Sequence, residues 1–158
     1  MKTNVLFLFS GTVRDNILYG NIEYKGCSDQ KLVFAIKEAN LENLISKFDN
    51  GLDTKISINS DSISLGQKQI IAFMRAVLRN PEILILDEAT ANIDTITEQL
   101  LDNILKKLPA DTIKVIIAHR LNTIEAENKI FFINSGEISL ANSLEKVVEM
   151  LKNEKRES

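Results

Sequence analysis

Cysteine occurs once in this sequence, histidine once and proline twice. The single thiol, Cys27, excludes an internal disulfide framework and fits a reducing compartment. Long apolar runs are missing too. Val5 to Phe9 is too short for a signal-peptide core with a cleavage site, and far too short to cross a bilayer. A membrane role would therefore need another chain segment or partner to carry it. Charge of one sign is not in excess: 19 basic against 22 acidic residues give a net charge of −3, with no basic stripe or arm to meet a nucleic acid. No low-complexity linker and no internal repeat interrupts the chain.

What is present fits one ordinary domain. The 158 residues are 44% hydrophobic and 26% charged, enough for one sizeable core with a soluble surface. Ser28 predicts a cap for a helix with Leu32, Val33, Ile36 and Ala39 on one face. A second, shorter helix is expected over Leu41 to Phe48, closed by Asn50-Gly51, and a polar loop from Asp53 to Ser62. The clearest helix opens at Ser64, carries Ile70, Ile71, Met74, Val77 and Leu78 on one face, and stops at Asn80-Pro81.

Ile83 to Leu86 are four apolar residues without alternation, the pattern of a strand buried on both faces. Thr95 with Glu98 offers a capping box for a helix bearing Ile96, Leu100, Leu101, Ile104, Leu105 and Leu108, ended by Pro109. Ile113 to Ala118 reads as another buried strand. Ile130 to Ile133 and Ile138 to Leu140 flank a turn at Ser135-Gly136, a hairpin signal. Asn142 and Glu145 are placed to cap a last helix with Leu144, Val147, Val148 and Leu151 inward, and the charged tail from Lys152 is expected to fray. Strand–helix alternation after Pro81 argues for an α/β layer with a mainly parallel sheet, after a mostly helical first half.

Two stretches carry chemistry. Ile83 to Leu86 runs into Asp87-Glu88, setting two carboxylates at the C-terminal edge of a buried strand, where open α/β sheets bind ligands. Asp87 there suits a metal ion and Glu88 the polarisation of an attacking water. Upstream, Ser64-Leu65-Gly66-Gln67 precedes the strongest helix, where a hydroxyl and free N–H groups make an anion site. Gly66 lets a phosphate approach the main chain. Either stretch alone is equally a capping serine or a strand running into a solvated turn.

Together, Ile63 to Gln69, Arg75-Ala76, Asn80-Pro81 and Ile83 to Thr90 resemble the signature, its helix and the Walker B strand of ABC ATPases. The signature LSGGQ stands here as Ile-Ser-Leu-Gly-Gln. Ala91-Asn92-Ile93-Asp94 is similar to the family's D-loop, and Ile116 to Leu121 to its switch strand, with His119 as the histidine that meets the γ-phosphate. Leu8 to Ile17 resembles the segment after the Q-loop in exporter-type members. The resemblance spans about Leu8 to Leu140. Departures are Asn4 near the position of the Q-loop glutamine, and Ile58 and Ser60 where exporters carry glutamate and glycine.

The resemblance implies a partial P-loop-NTPase-like domain: a helical subdomain over about 19–80, then Walker B, D-loop and switch strand over about 81–158. It implies catalytic roles for Glu88 and His119, Mg²⁺ binding by Asp87, and nucleotide contacts by Ser64, Gly66, Gln67 and Asp94. Its cofactors are Mg²⁺ and ATP, and its partners are the transmembrane domain of an exporter and a second ABC ATPase domain. The place implied is the cytoplasmic face of a membrane, reached through that partner without direct insertion. None of the six glycines is followed by Lys-Ser or Lys-Thr at the spacing of the phosphate loop G-x-x-x-x-G-K-[ST]. The Walker A half is therefore expected to lie before these residues, and weak or no ATP binding is expected of this chain alone. A non-catalytic module that lends its signature to an intact ABC domain is the alternative.

Overall fold

The structure, a computed structural model, describes residues 7–57, 63–87, 93–117, 129–134, 136–141 and 143–157. Its class is the expected α/β mixture, assembled from three two-stranded sheets, six α-helices and one short 3-10 helix (Gly51–Asp53) among the described residues. Two compact units divide the chain, Met1–Val115 and Ile116–Ser158.

The first unit opens on β1 (Gly11–Thr12), which runs directly into α1 (Val13–Ile17). Thr12 turns the chain from strand to helix through a capping box. Its hydroxyl accepts from the Asp15 N–H (3.1 Å), and the Asp15 carboxylate accepts from the Thr12 N–H (2.8 Å). Val13, Asn16 and Ile17 form the buried face. α2 (Asp29–Glu38) is capped by Ser28, as expected, but buries Leu32, Ala35 and Ile36 and leaves Val33 exposed. Position 33 follows Leu32 by one residue, so it sits about 100° round the helix from the buried stripe.

The expected helix over Leu41 to Phe48 is shorter, α3 (Glu42–Ile45), with turns carrying the chain to Phe48. The polar stretch after Asp53 is not all loop. Lys55–Ile56 forms β2, antiparallel to β1, with Gly11 opposite Ile56 and Thr12 opposite Lys55. Ile56 is buried beneath this pairing.

α4 (Leu65–Val77) is the helix read from the sequence, with Ile70, Ile71, Met74, Val77 and Leu78 buried, and Phe73 as well. Arg75 pins the N-terminal segment to it. Its Nε donates to the Asn16 carbonyl (2.7 Å), one terminal nitrogen donates to the Phe7 carbonyl (3.0 Å), and the guanidinium lies over the Tyr19 ring. Asn16 is fully buried and clasps Phe9, accepting from its N–H (3.1 Å) and donating to its carbonyl (3.0 Å).

β3 (Ile83–Asp87) and β4 (Ile113–Ile117) pair, beginning with the Ile113 N–H donating to the Glu82 carbonyl (2.8 Å), with α5 (Thr95–Lys107) between them in sequence. Neither strand is buried on both faces. Leu84 and Leu86 point inward, whereas Ile83 (56%) and Ile85 (64%) are exposed, as are Ile113, Val115 and Ile117. An apolar run permits cover on two faces; in this structure one face has it. α5 buries Thr97, Leu101, Ile104 and Leu105 and leaves Ile96 exposed. Its cap is Asp94, one residue before the expected Thr95.

In the second unit, β5 (Ile130–Asn134) and β6 (Glu137–Ala141) make the expected antiparallel hairpin, Asn134 opposite Glu137, with Gly136 at φ +84°. α6 (Leu144–Glu157) packs on β6, buries Val147, and continues through the charged residues expected to fray. No helix among the described residues is long and apolar enough to cross a membrane.

Candidate functional site

The anion-site candidate begins at Ser64. Its extended backbone (φ −69°, ψ 162°) makes it the N-cap of α4, and its Oγ accepts from the Gln67 N–H (3.1 Å). The Gln67 side chain completes the box by accepting from the Ser64 N–H (2.8 Å) through Oε1. The Lys68 N–H donates to the Ser64 carbonyl. That leaves the amides of Leu65 and Gly66 at the helix end, unbonded to any described residue, where the dipole favours negative charge. Ser64 is exposed and Gly66 half-exposed, so an anion can reach both. Because Ser64 caps with a lone pair, its hydroxyl proton can still donate.

Gln67 has a second bond. Its Nε2 donates to the Lys47 carbonyl (2.8 Å), so both ends of the amide are engaged. Asp94 is engaged as well, as the N-cap of α5. Oδ1 accepts from the Thr97 N–H (3.0 Å) and Oδ2 from the Thr97 hydroxyl (2.7 Å). The Thr97 hydroxyl bond, then its backbone bond, hold the Asp94 carboxyl below the usual range against a small desolvation, with Lys47 helping through its charge. Lys47 Nζ lies 3.9 Å from Asp94 Oδ2. The structure thus brings Ser64, Gly66, Gln67 and Asp94 into one linked neighbourhood through Lys47.

Asp87 ends β3 and is exposed. Glu88 and His119 lie outside the described residues, as do Asn4, Ile58 and Ser60. Among the described residues, no three His, Cys, Asp or Glu side chains gather into a metal cage. A carboxylate oxygen at Asp87 suits a hard cation that draws its other ligands from phosphate and water, as Mg²⁺ does. The Ser64 hydroxyl and two helix-end amides form a donor set suited to phosphate oxygens.

Three residues that fasten these elements, Lys47 at the caps and Arg75 and Asn16 elsewhere in the chain, escaped the sequence reading. Lys47 gave no local signal, since its partners lie 20 and 47 positions away. Arg75 was read only as part of the helix motif. Asn16 was legible in principle: it shares a face with Val13 and Ile17, and a polar residue on an apolar stripe must satisfy itself inside.

A capped helix end with spare amides, tied through Lys47 to a second capped helix end, is a donor set whose chemistry suits phosphate oxygens. Comparison with known proteins makes this specific. The family model described as ABC transporter matches residues 2–91. The chain belongs to the ABC transporter family. It is 47% identical over 132 residues to the uncharacterized ABC transporter ATP-binding protein YfiC of Bacillus subtilis, covering 84% of this chain and 21% of that protein. It is 38% identical over 132 residues to the fatty acid ABC transporter ATP-binding/permease protein of Mycobacterium bovis, covering 84% of this chain and 20% of that one. Among solved structures, a bacterial Atm1-family ABC exporter with ATP bound matches at TM-score 0.73 and 31% identity, over 90% of this chain and 24% of that chain. The chain thus spans about a fifth to a quarter of these relatives.

Proposed function

We propose that these residues form the C-terminal part of the ATP-hydrolysing domain of an exporter-type ABC transporter, with a helical subdomain over about 19–80 and the α/β part over about 81–158. The observation that carries the reading is the α4 N-terminus, where Ser64 is exposed and the cap leaves the amides of Leu65 and Gly66 unbonded to any described residue. In this reading Ser64 and Gly66 meet the nucleotide held by a second ABC domain, while Gln67 and Asp94 shape that surface. Asp87 serves Mg²⁺, which when bound neutralises phosphate charge. Glu88 orients and deprotonates the attacking water, and His119 faces the γ-phosphate. The segment from Leu8 to Ile17, fastened to α4 by Asn16 and Arg75, is the surface offered to a transmembrane domain. The site of action is the cytoplasmic face of the membrane, through that partner.

On its own, the 158-residue chain has no phosphate loop to cradle the β- and γ-phosphates. One helix N-terminus contributes about 0.3–1 kcal/mol for an exposed anion and ~2 when partly buried, whereas millimolar affinity needs about 4 kcal/mol. The expected result is no ATPase activity above background and no measurable Mg-ATP binding by calorimetry. Micromolar affinity that Glu88→Gln or His119→Ala abolishes would overturn this account.

The exposed, complete α4 cap also favours a second reading, a module that supplies the signature in trans. ATP binding only in a mixture with an intact ABC domain, abolished by Ser64→Arg, would support it.

A further inference from the structure

Lys47 joins three parts of the chain that nothing local connects. Its main chain is held in the turn after α3, where its N–H donates to the Leu44 carbonyl (3.2 Å), and α3 packs on α5. Its carbonyl receives the Gln67 Nε2–H (2.8 Å), and its ammonium reaches within 3.9 Å of Asp94 Oδ2. The Gln67 amide cannot turn round. A flip would set its NH₂ against the Ser64 N–H and its oxygen against the Lys47 carbonyl, replacing two attractions with two repulsions. Moving the cap of α4 away from residue 47 therefore breaks this bond with no substitute from the flipped amide.

On the other side, Asp94 holds its carboxylate on Thr97 and keeps an edge of Oδ2 toward Lys47. Glu98, in the first turn of α5, is the other charged group of that helix end. We propose that Lys47 is a positioning residue that couples the N-cap of α4 to the N-cap of α5, so that Ser64 and Asp94 move as one unit. This rests on the proposed function for the use made of those caps, but the tie itself exists without nucleotide. The Lys47–Asp94 arm is the weaker one, part-exposed and near the limit of an ion pair, so the coupling is modest.

The test uses the whole 158-residue chain without nucleotide, reading the Asp94 carboxyl titration and the exchange protection of the Gln67 and Lys68 amides by NMR. Lys47→Met is expected to raise the Asp94 midpoint. It is also expected to lower protection at the α4 amides about two- to fivefold, the range for one exposed ion pair, although it removes no bond to α4. Lys47→Arg should restore both. Gln67→Met, neutral and distant in sequence, should in turn shift the Asp94 titration, and the double variant should depart from additivity. An Asp94 midpoint unmoved by Lys47→Met, or purely additive effects, would overturn the tie. Adding an intact ABC ATPase domain with Mg-ATP then reads the site separately. No response at Ser64 or Asp94, with the coupling intact, would count against the proposed function and leave Lys47's role standing.

Discussion

Truncating Asn16 to alanine should be among the most damaging single changes in the first unit. The side chain is fully buried, accepting from the Phe9 N–H (3.1 Å) and donating to the carbonyls of Phe9 and Thr12 (3.0 Å each). Asn16→Ala leaves the two part-buried Phe9 groups without this partner; an unpaired polar group costs about 1–3 kcal/mol when fully buried, so about 1.5 kcal/mol apiece applies here. Thr12 loses less, because a carbonyl has a second lone pair. The total is about 3 kcal/mol, against a stability of roughly 5–15 kcal/mol for a whole domain. With a urea slope of about 2 kcal/mol per molar, the midpoint followed by far-UV circular dichroism should fall by about 1.5 M.

Asn16→Asp sharpens the test. It keeps an acceptor for the Phe9 N–H but turns a carboxylate toward two carbonyls. It should therefore be at least as destabilising at neutral pH, and less so in acid, where a protonated carboxyl regains one donor. A midpoint for Asn16→Ala within about 0.3 M of the parent would show that the clasp on Phe9 contributes little, and the reasoning would fail.

Three further predictions test other links. Leu84→Ala should cost about 2–3 kcal/mol in urea titrations and Ile85→Ala under about 1 kcal/mol, since the first side chain is buried and the second exposed; equal costs would mean that both faces of β3 are covered. The Asp94 carboxyl sits below its ordinary value of 3.8, so its contribution is full above that pH and is lost as pH falls through the lower folded value. Asparagine caps as well but does not titrate, so Asp94→Asn should flatten the acid limb of the stability profile below about pH 4 while leaving α5 intact. Ser64→Asp keeps a capping oxygen at a helix N-terminus, so thermal stability should hold, while its negative charge should abolish any nucleotide effect in trans.

The parts that were legible in sequence are those whose cause is local. α4 announces itself by spacing and ends at Val77, with a turn carrying the chain to the expected stop at Asn80-Pro81. The β5–β6 hairpin follows from two apolar runs around a glycine that adopts positive φ. β2 was missed because two residues become a strand only by pairing with Gly11–Thr12, more than forty positions earlier. The cover on β3 was overstated because an apolar run records what a strand can bury, not what lies against it. The α5 cap was misplaced by one residue, since Thr95 and Glu98 match the capping-box spacing while Asp94 makes the bonds. Lys47 was beyond reach, because its role is made by tertiary neighbours alone.

Capping and ligand binding look like rival accounts of Ser64, but the hydrogen-bond inventory makes them compatible. A hydroxyl has lone pairs and a proton; the cap uses a lone pair, and the proton remains for a phosphate oxygen. An amide side chain has no such reserve once both ends are engaged, as in Gln67, and a carboxylate holding two Thr97 donors is largely committed, as in Asp94. We infer a division of labour within the signature surface. In the function proposed above, Ser64 and the main chain at Gly66 would be the groups that meet the nucleotide, whereas the bonds of Gln67, Lys47 and Asp94 hold the two caps in place. The same helix end can then be rigid before a ligand arrives. Donors held in place in advance spare the ordering cost that a loose loop would add to an already weak anion site.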